Sequence, residues 1–90
     1  MNAHRADQIS RAAARFFSDY NIPCDVIVSD ERGVHIVIGW ATFKTDGPGY
    51  KVTLWNRGQR EYKNFDCFWS AVSCARDWNN ERREAEAFTA

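Results

Sequence analysis

Val34-His35-Ile36-Val37-Ile38-Gly39-Trp40-Ala41-Thr42-Phe43 reads as one extended strand that is apolar on both of its faces. Alternation sends Val34, Ile36, Ile38 and Trp40 to one side and Val37, Ala41 and Phe43 to the other. Strand-like stretches flank it at Cys24–Ser29 and Tyr50–Trp55. Between the first two, Glu31-Arg32-Gly33 fits a three-residue hairpin loop with Gly33 in the left-handed position. That register pairs Val28 with Ile36, Val26 with Ile38 and Cys24 with Trp40, and on the reverse Ser29 with His35 and Ile27 with Val37. Downstream, Asp46-Gly47-Pro48-Gly49 reads as the centre of a longer exposed turn, Lys44–Gly49. Asn56-Arg57-Gly58 repeats the Xaa-Arg-Gly pattern and implies a short fourth strand, Gln59–Lys63, with Tyr62 opposite Val52.

Helical spacing brackets this meander. Ile9, Ala12, Ala13, Phe16, Phe17 and Tyr20 share a face over roughly 7–20, with Asp7 as the expected cap and Pro23 ending the segment. Phe68, Ala71, Val72, Ala75 and Trp78 follow the same rule after Asp66, the expected second cap. Beyond Trp78 the apolar stripe is lost, and residues 79–86 read as a solvated extension. The expectation is an α+β two-layer sandwich with element order αββββα, in which both helices cover one face of a four-stranded antiparallel sheet. The core face is then Val26, Val28, Val34, Ile36, Ile38, Trp40, Val52, Leu54 and Tyr62. The outer face carries Asp25, Ile27, Ser29, His35, Val37, Ala41, Phe43, Lys51, Thr53, Trp55 and Glu61.

Composition bounds the rest. Ninety residues, 44% hydrophobic and 27% charged, with Trp 4, Tyr 3 and Phe 6, make one domain, 1–90, with frayed ends expected at about 1–6 and 82–90. A chain of this size buries roughly 60–65% of its unfolded surface, enough for one modest core but hardly for a deep enclosed cavity. Lys+Arg 12 balance Asp+Glu 12, so the chain lacks the cationic excess of a dedicated phosphate-backbone binder. Three cysteines in no Cys-x-x-Cys spacing, with Cys67 and Cys74 about 10 Å apart along a helix axis, read as free and mostly buried thiols. The opening Met1-Asn2-Ala3-His4-Arg5 has no apolar signal core, and no run is long enough to cross a bilayer. A cytoplasmic setting with no membrane partner is expected.

No catalytic, metal-binding or cofactor-binding residues emerge. A Ser29/His35 pair on an open sheet face would exclude no water and has no oxyanion hole. His4 and His35 lie far apart in the topology, which leaves zinc without converging ligands. Gly47-Pro48-Gly49 precedes a strand rather than a helix N-terminus, so it is not a phosphate loop. What remains is the uncovered face, where Ile27, Val37, Phe43 and Trp55 form an apolar patch with His35 beside it and Asp25, Asp30 and Glu31 near its rim. A patch of that kind marks an interface. Its cover would be a protein partner, a twin subunit in a homodimer, or the chain's own tail through Phe88.

In size, neutrality and aromatic content, and in the ending Tyr62-Lys63-Asn64-Phe65-Asp66 followed by Ala71 and Ala75 at helical spacing, the chain resembles the small accessory proteins of phages and mobile elements, anti-CRISPR proteins among them. That resemblance implies a non-enzymatic inhibitor of a host defence (CRISPR-Cas-like) complex, acting by steric occlusion of a nucleic-acid-binding partner. Its element order also resembles that of double-stranded-RNA-binding domains. The lysine-rich helix start of that family would fall at Asn64–Ser70, which carries an acid and no base. The alternative expectation is therefore a nucleic-acid-binding module that uses Arg57, Arg60 and Lys63, with Arg11 and Arg15 on the first helix.

Overall fold

The computed structural model describes the backbone of residues 1–89 and the side chains of residues 1–87. The expected cover by Phe88 lies outside the described residues. The chain runs α1 (Ala3–Asp19), β1 (Cys24–Asp30), β2 (Gly33–Ile38), β3 (Ala41–Asp46), β4 (Gly49–Asn56), β5 (Gln59–Phe65) and α2 (Phe68–Thr89). The strands form one antiparallel meander in the order β1-β2-β3-β4-β5. The α+β class holds, with five strands in place of four.

The fifth strand comes from the stretch that looked continuous. Ile38 pairs with Ala41, so Gly39-Trp40 is a two-residue hairpin turn and Val34–Phe43 folds back on itself. Gly39 has φ +56° and is followed by a residue with ordinary φ, which is the requirement of a turn with glycine at its first central position. The fold-back puts Ala41 and Phe43 opposite Ile38 and Ile36, on the core side. Phe43 is 0% exposed, which removes it from the outer patch where the sequence had placed it.

The other turns are also shorter than expected. Asp46 pairs with Gly49 and Asn56 with Gln59, so Gly47-Pro48 and Arg57-Gly58 each close a two-residue hairpin. Moving a register by one residue swaps every side chain to the other face. Tyr62 therefore stands opposite Thr53 on the outer face, and Glu61 stands opposite Leu54 on the helix side, each the reverse of the expectation. In β1, a bulge between Val26 and Val28 does the same locally. Val28 pairs with His35 on the outer face, while Ser29 pairs with Val34 and turns inward to accept a 2.7 Å hydrogen bond from Ser10 of α1.

Both helices lie over the inner face. Ala6, Ile9, Ala13 and Phe17 of α1 and Ala71, Val72 and Ala75 of α2 join Val34, Ile36, Ile38, Ala41, Phe43, Tyr50, Val52 and Leu54 in one buried cluster. The capping residues differ from those expected. Asn2 caps α1, its side chain accepting from the Arg5 N–H at 2.7 Å. α2 starts at Phe68, after Cys67 rather than Asp66. The extension beyond Trp78 is docked: Asn79 is 1% exposed, in the stripe of Val72 and Ala75. Further along, Arg82 donates to Asn56 and Arg83 donates to the carbonyls of Tyr20 and Asn21.

Candidate binding face

Among the described residues nothing covers the side of the sheet opposite the helices, which is built from the alternate residues of each strand. One row across it reads His35, Lys44, Lys51, Asn64, and the next reads Asp25, Val37, Thr42, Thr53, Tyr62. Trp55 and Arg60 form a third pair at the β4–β5 end. The face is polar and basic rather than oily: Lys44, Lys51 and Arg60 stand on it, with Asp25 and Asp46 at its margins. Its rings are engaged by cations, the Lys51 ammonium lying 4.9 Å from the Tyr62 centroid and the Arg60 guanidinium 4.1 Å from that of Trp55. Tyr62 remains 56% exposed.

Of the residues expected at a protein-binding patch, Asp25, His35, Val37 and Trp55 do share this face. Ile27 sits at the bulge of the edge strand and is exposed. Asp30 and Glu31 lie at the β1–β2 turn, where the Arg32 side chain forks onto Asp30 and holds its carboxyl below the usual range. The expected nucleic-acid set is split by the fold. Arg60 is on the open face and Arg57 is in the adjoining turn, but Lys63 faces the helix side beside Glu61, 3.8 Å away. Arg11 and Arg15 are on the exposed side of α1, in the other layer, with Arg11 paired to Asp7 at 2.8 Å. Lys51 stands on the outer face, as expected, whereas Lys44 was read into the β3–β4 turn and Tyr62 onto the core face, because two-residue turns that the sequence does not mark unambiguously set their side.

The Ser29/His35 pairing does not occur: the bulge turns Ser29 inward, whereas His35 faces outward. Among the described residues, no group of three or more His, Cys, Asp or Glu could hold a metal ion. No helix is long and apolar enough to cross a membrane. The cysteines are all free, yet they are not alike. Burial pushes the Cys24 and Cys74 thiols up. Cys67 is exposed, contrary to the expectation of buried thiols, and the backbone N–H groups of Ser70 and Trp69 at the start of α2 hold its thiol below the usual value.

A second surface feature lies between the helices. Trp69 is 58% exposed and packs against Phe68 and Phe16, at centroid distances of 4.9 and 6.1 Å. A groove of about 540 Å³ beside it is floored by Ile9 and Tyr50 and rimmed by Arg5 and Arg11. No protein-family model, no curated protein and no solved structure matches this chain.

Proposed function

We propose that the chain is a non-catalytic binding domain whose open sheet face holds single-stranded nucleic acid. The observation that carries this reading is the exposed Tyr62 ring, set among Lys51, Lys44 and Arg60 on a face with no covering helix. Aromatic rings on a cationic surface supply stacking for bases and charge for the phosphates, with little demand on sequence. A flat face suits a strand whose bases can splay, whereas it offers a rigid duplex no protruding element to enter a groove. Overall neutrality is compatible with such a site because only the local field meets the strand.

The test is fluorescence anisotropy with labelled oligouridylate and oligothymidylate. Binding should weaken steeply with added salt, and Lys44→Ala and Lys51→Ala should each flatten the log–log slope by about 0.7. Tyr62→Ala should weaken binding by roughly 5–150-fold, equivalent to ~1–3 kcal/mol for one lost stack. Arg15→Ala, in the other layer, should leave affinity unchanged. Absence of binding at low ionic strength sinks the proposal.

A second reading has its own observation. The exposed Trp69 between α1 and α2 is the kind of side chain that anchors a protein partner. An inhibitor that occludes a host defence complex would dock through that groove rather than through the sheet. Trp69→Ala would then abolish inhibition while Tyr62→Ala spared it.

A further inference from the structure

We infer that β5 is a self-complementary edge through which two copies of the chain join into one continuous ten-stranded sheet. β5 is an outer strand of the meander, seven residues long, and it pairs with β4 in unbroken register from Tyr50↔Phe65 to Asn56↔Gln59. All of it but Phe65 is exposed. The opposite edge is different, because β1 is broken by the bulge at Ile27 and α1 packs over it. Edges left long and regular are templates for another strand.

The ladder fixes which backbone groups are free. Asn56↔Gln59 closes a two-residue turn and so exchanges hydrogen bonds, and antiparallel pairs then alternate. Arg60, Tyr62 and Asn64 fall in the alternate pairs, with their N–H and C=O groups directed away from β4. A two-fold axis through Tyr62 sets Tyr62 opposite its own copy and Arg60 opposite Asn64 of the second copy, each in position to exchange both backbone bonds.

The same axis decides the charges. A charged edge strand ordinarily repels its twin, since like meets like. Here Glu61 falls opposite Lys63 of the second copy, and Lys63 opposite Glu61, on the helix side of the sheet. Opposite charges directly across a ladder stabilise it, and like charges there oppose it. Within one chain Glu61 and Lys63 make only a loose 3.8 Å contact, and the two side chains are 61% and 46% exposed, so both are available. Beside the edge, a groove of about 500 Å³ between β5 and α2, lined in part by Leu54, Phe65 and Trp78, gives room for the incoming side chains. This pairing does not depend on what the open face binds.

Sedimentation equilibrium on the full chain and on charge-swapped variants tests it. The wild type should be a dimer. Glu61→Lys and Lys63→Glu should each raise the dimer dissociation constant at least tenfold, because each places like charges across the axis. The double variant, E61K with K63E, should restore the wild-type value, which a mere loss of folding could not do. Circular dichroism of each single variant should match the wild type, since both side chains are exposed. A monomeric wild type, single variants that dimerise normally, or a double variant that stays monomeric would each overturn the proposal.

Discussion

Asn79 meets three backbone groups at once. Its Oδ1 accepts from the Trp40 N–H at 3.0 Å, and its Nδ2 donates to the Ile38 and Ala75 carbonyls at 3.0 and 2.8 Å. The Gly39-Trp40 turn is thereby tied to the middle of α2. The contact is close enough that a Cβ at residue 39 would overlap the Asn79 side chain, and φ at Gly39 is +56°. Asn79→Ala should cost about 2–4 kcal/mol in urea denaturation, because it strands buried backbone groups rather than merely deleting a bond. Gly39→Ala should also destabilise, through both overlap and backbone conformation. The double variant should lose less than the sum, since removing the amide relieves the overlap but not the left-handed φ. Additive losses would show that the two residues are not coupled. A second residue-scale expectation concerns the thiols. With Cys67 held below its usual pKa and Cys24 and Cys74 pushed above theirs, Cys67 carries the larger thiolate fraction at any pH below the usual thiol range. Brief iodoacetamide treatment followed by peptide mass mapping should label Cys67 first, and its rate should rise at lower pH than those of the other two.

Which side chains of a strand meet the helices and which meet solvent is decided by the turns and bulges between elements. Phe43 stacks on Tyr50 at 5.4 Å and meets Phe68 edge-on at 5.8 Å. Phe43→Ala should therefore cost roughly 3–5 kcal/mol as a core truncation, whereas a surface residue would lose less than ~0.5 kcal/mol. The two helices and the order of the meander were legible because their periodicities are long and their boundaries carry proline and glycine. The break at Gly39-Trp40 was not, since one glycine inside an apolar run signals a turn only weakly and tryptophan is itself a strand former. The bulge at Ile27 has no sequence mark. The face of β5 turned on whether Arg57-Gly58 or Asn56-Arg57-Gly58 forms the loop. The structure answers with positive φ at both Arg57 (+50°) and Gly58 (+84°), a two-residue turn. Each of these is a parity error, and parity decides the binding face. His35, Val37 and Trp55 were placed correctly because alternation with the buried Val34, Ile36 and Leu54 of their own strands fixes their side whatever the length of the turns. Phe43, Glu61 and Tyr62 were placed wrongly because an unexpected or shortened turn reverses the parity of the strand that carries them.

Over the whole molecule, zero formal charge hides a separation of signs. The open face carries Lys44, Lys51 and Arg60, while α2 exposes Asp77, Glu81, Glu84 and Glu86. The arginines of α2 are folded back onto the protein. Arg76 reaches Asp77 and the Tyr20 hydroxyl, Arg82 lies over Trp78 at 4.1 Å and bonds Asn56, and Arg83 bonds Tyr20 and Asn21. α2 thus spans the molecule as a brace, linking the β4–β5 turn on one side with the α1–β1 connection on the other. A helix of 22 residues is about 33 Å long, and the molecule extends 44 Å in its longest direction. If the last turns act in this way, removing the residues after Asn80 should lower the thermal midpoint by roughly 5–15 °C, taking ~1 kcal/mol for each lost anchor and the small entropy of unfolding of a domain this size. The unfolding transition should stay single, because the buried cluster ends before the cut. Arg83→Ala alone should reproduce part of the shift, and Glu84→Ala, on the exposed side, should reproduce none of it. A truncated chain that melts with the full one would show that the C-terminal turns lie on the body without bracing it.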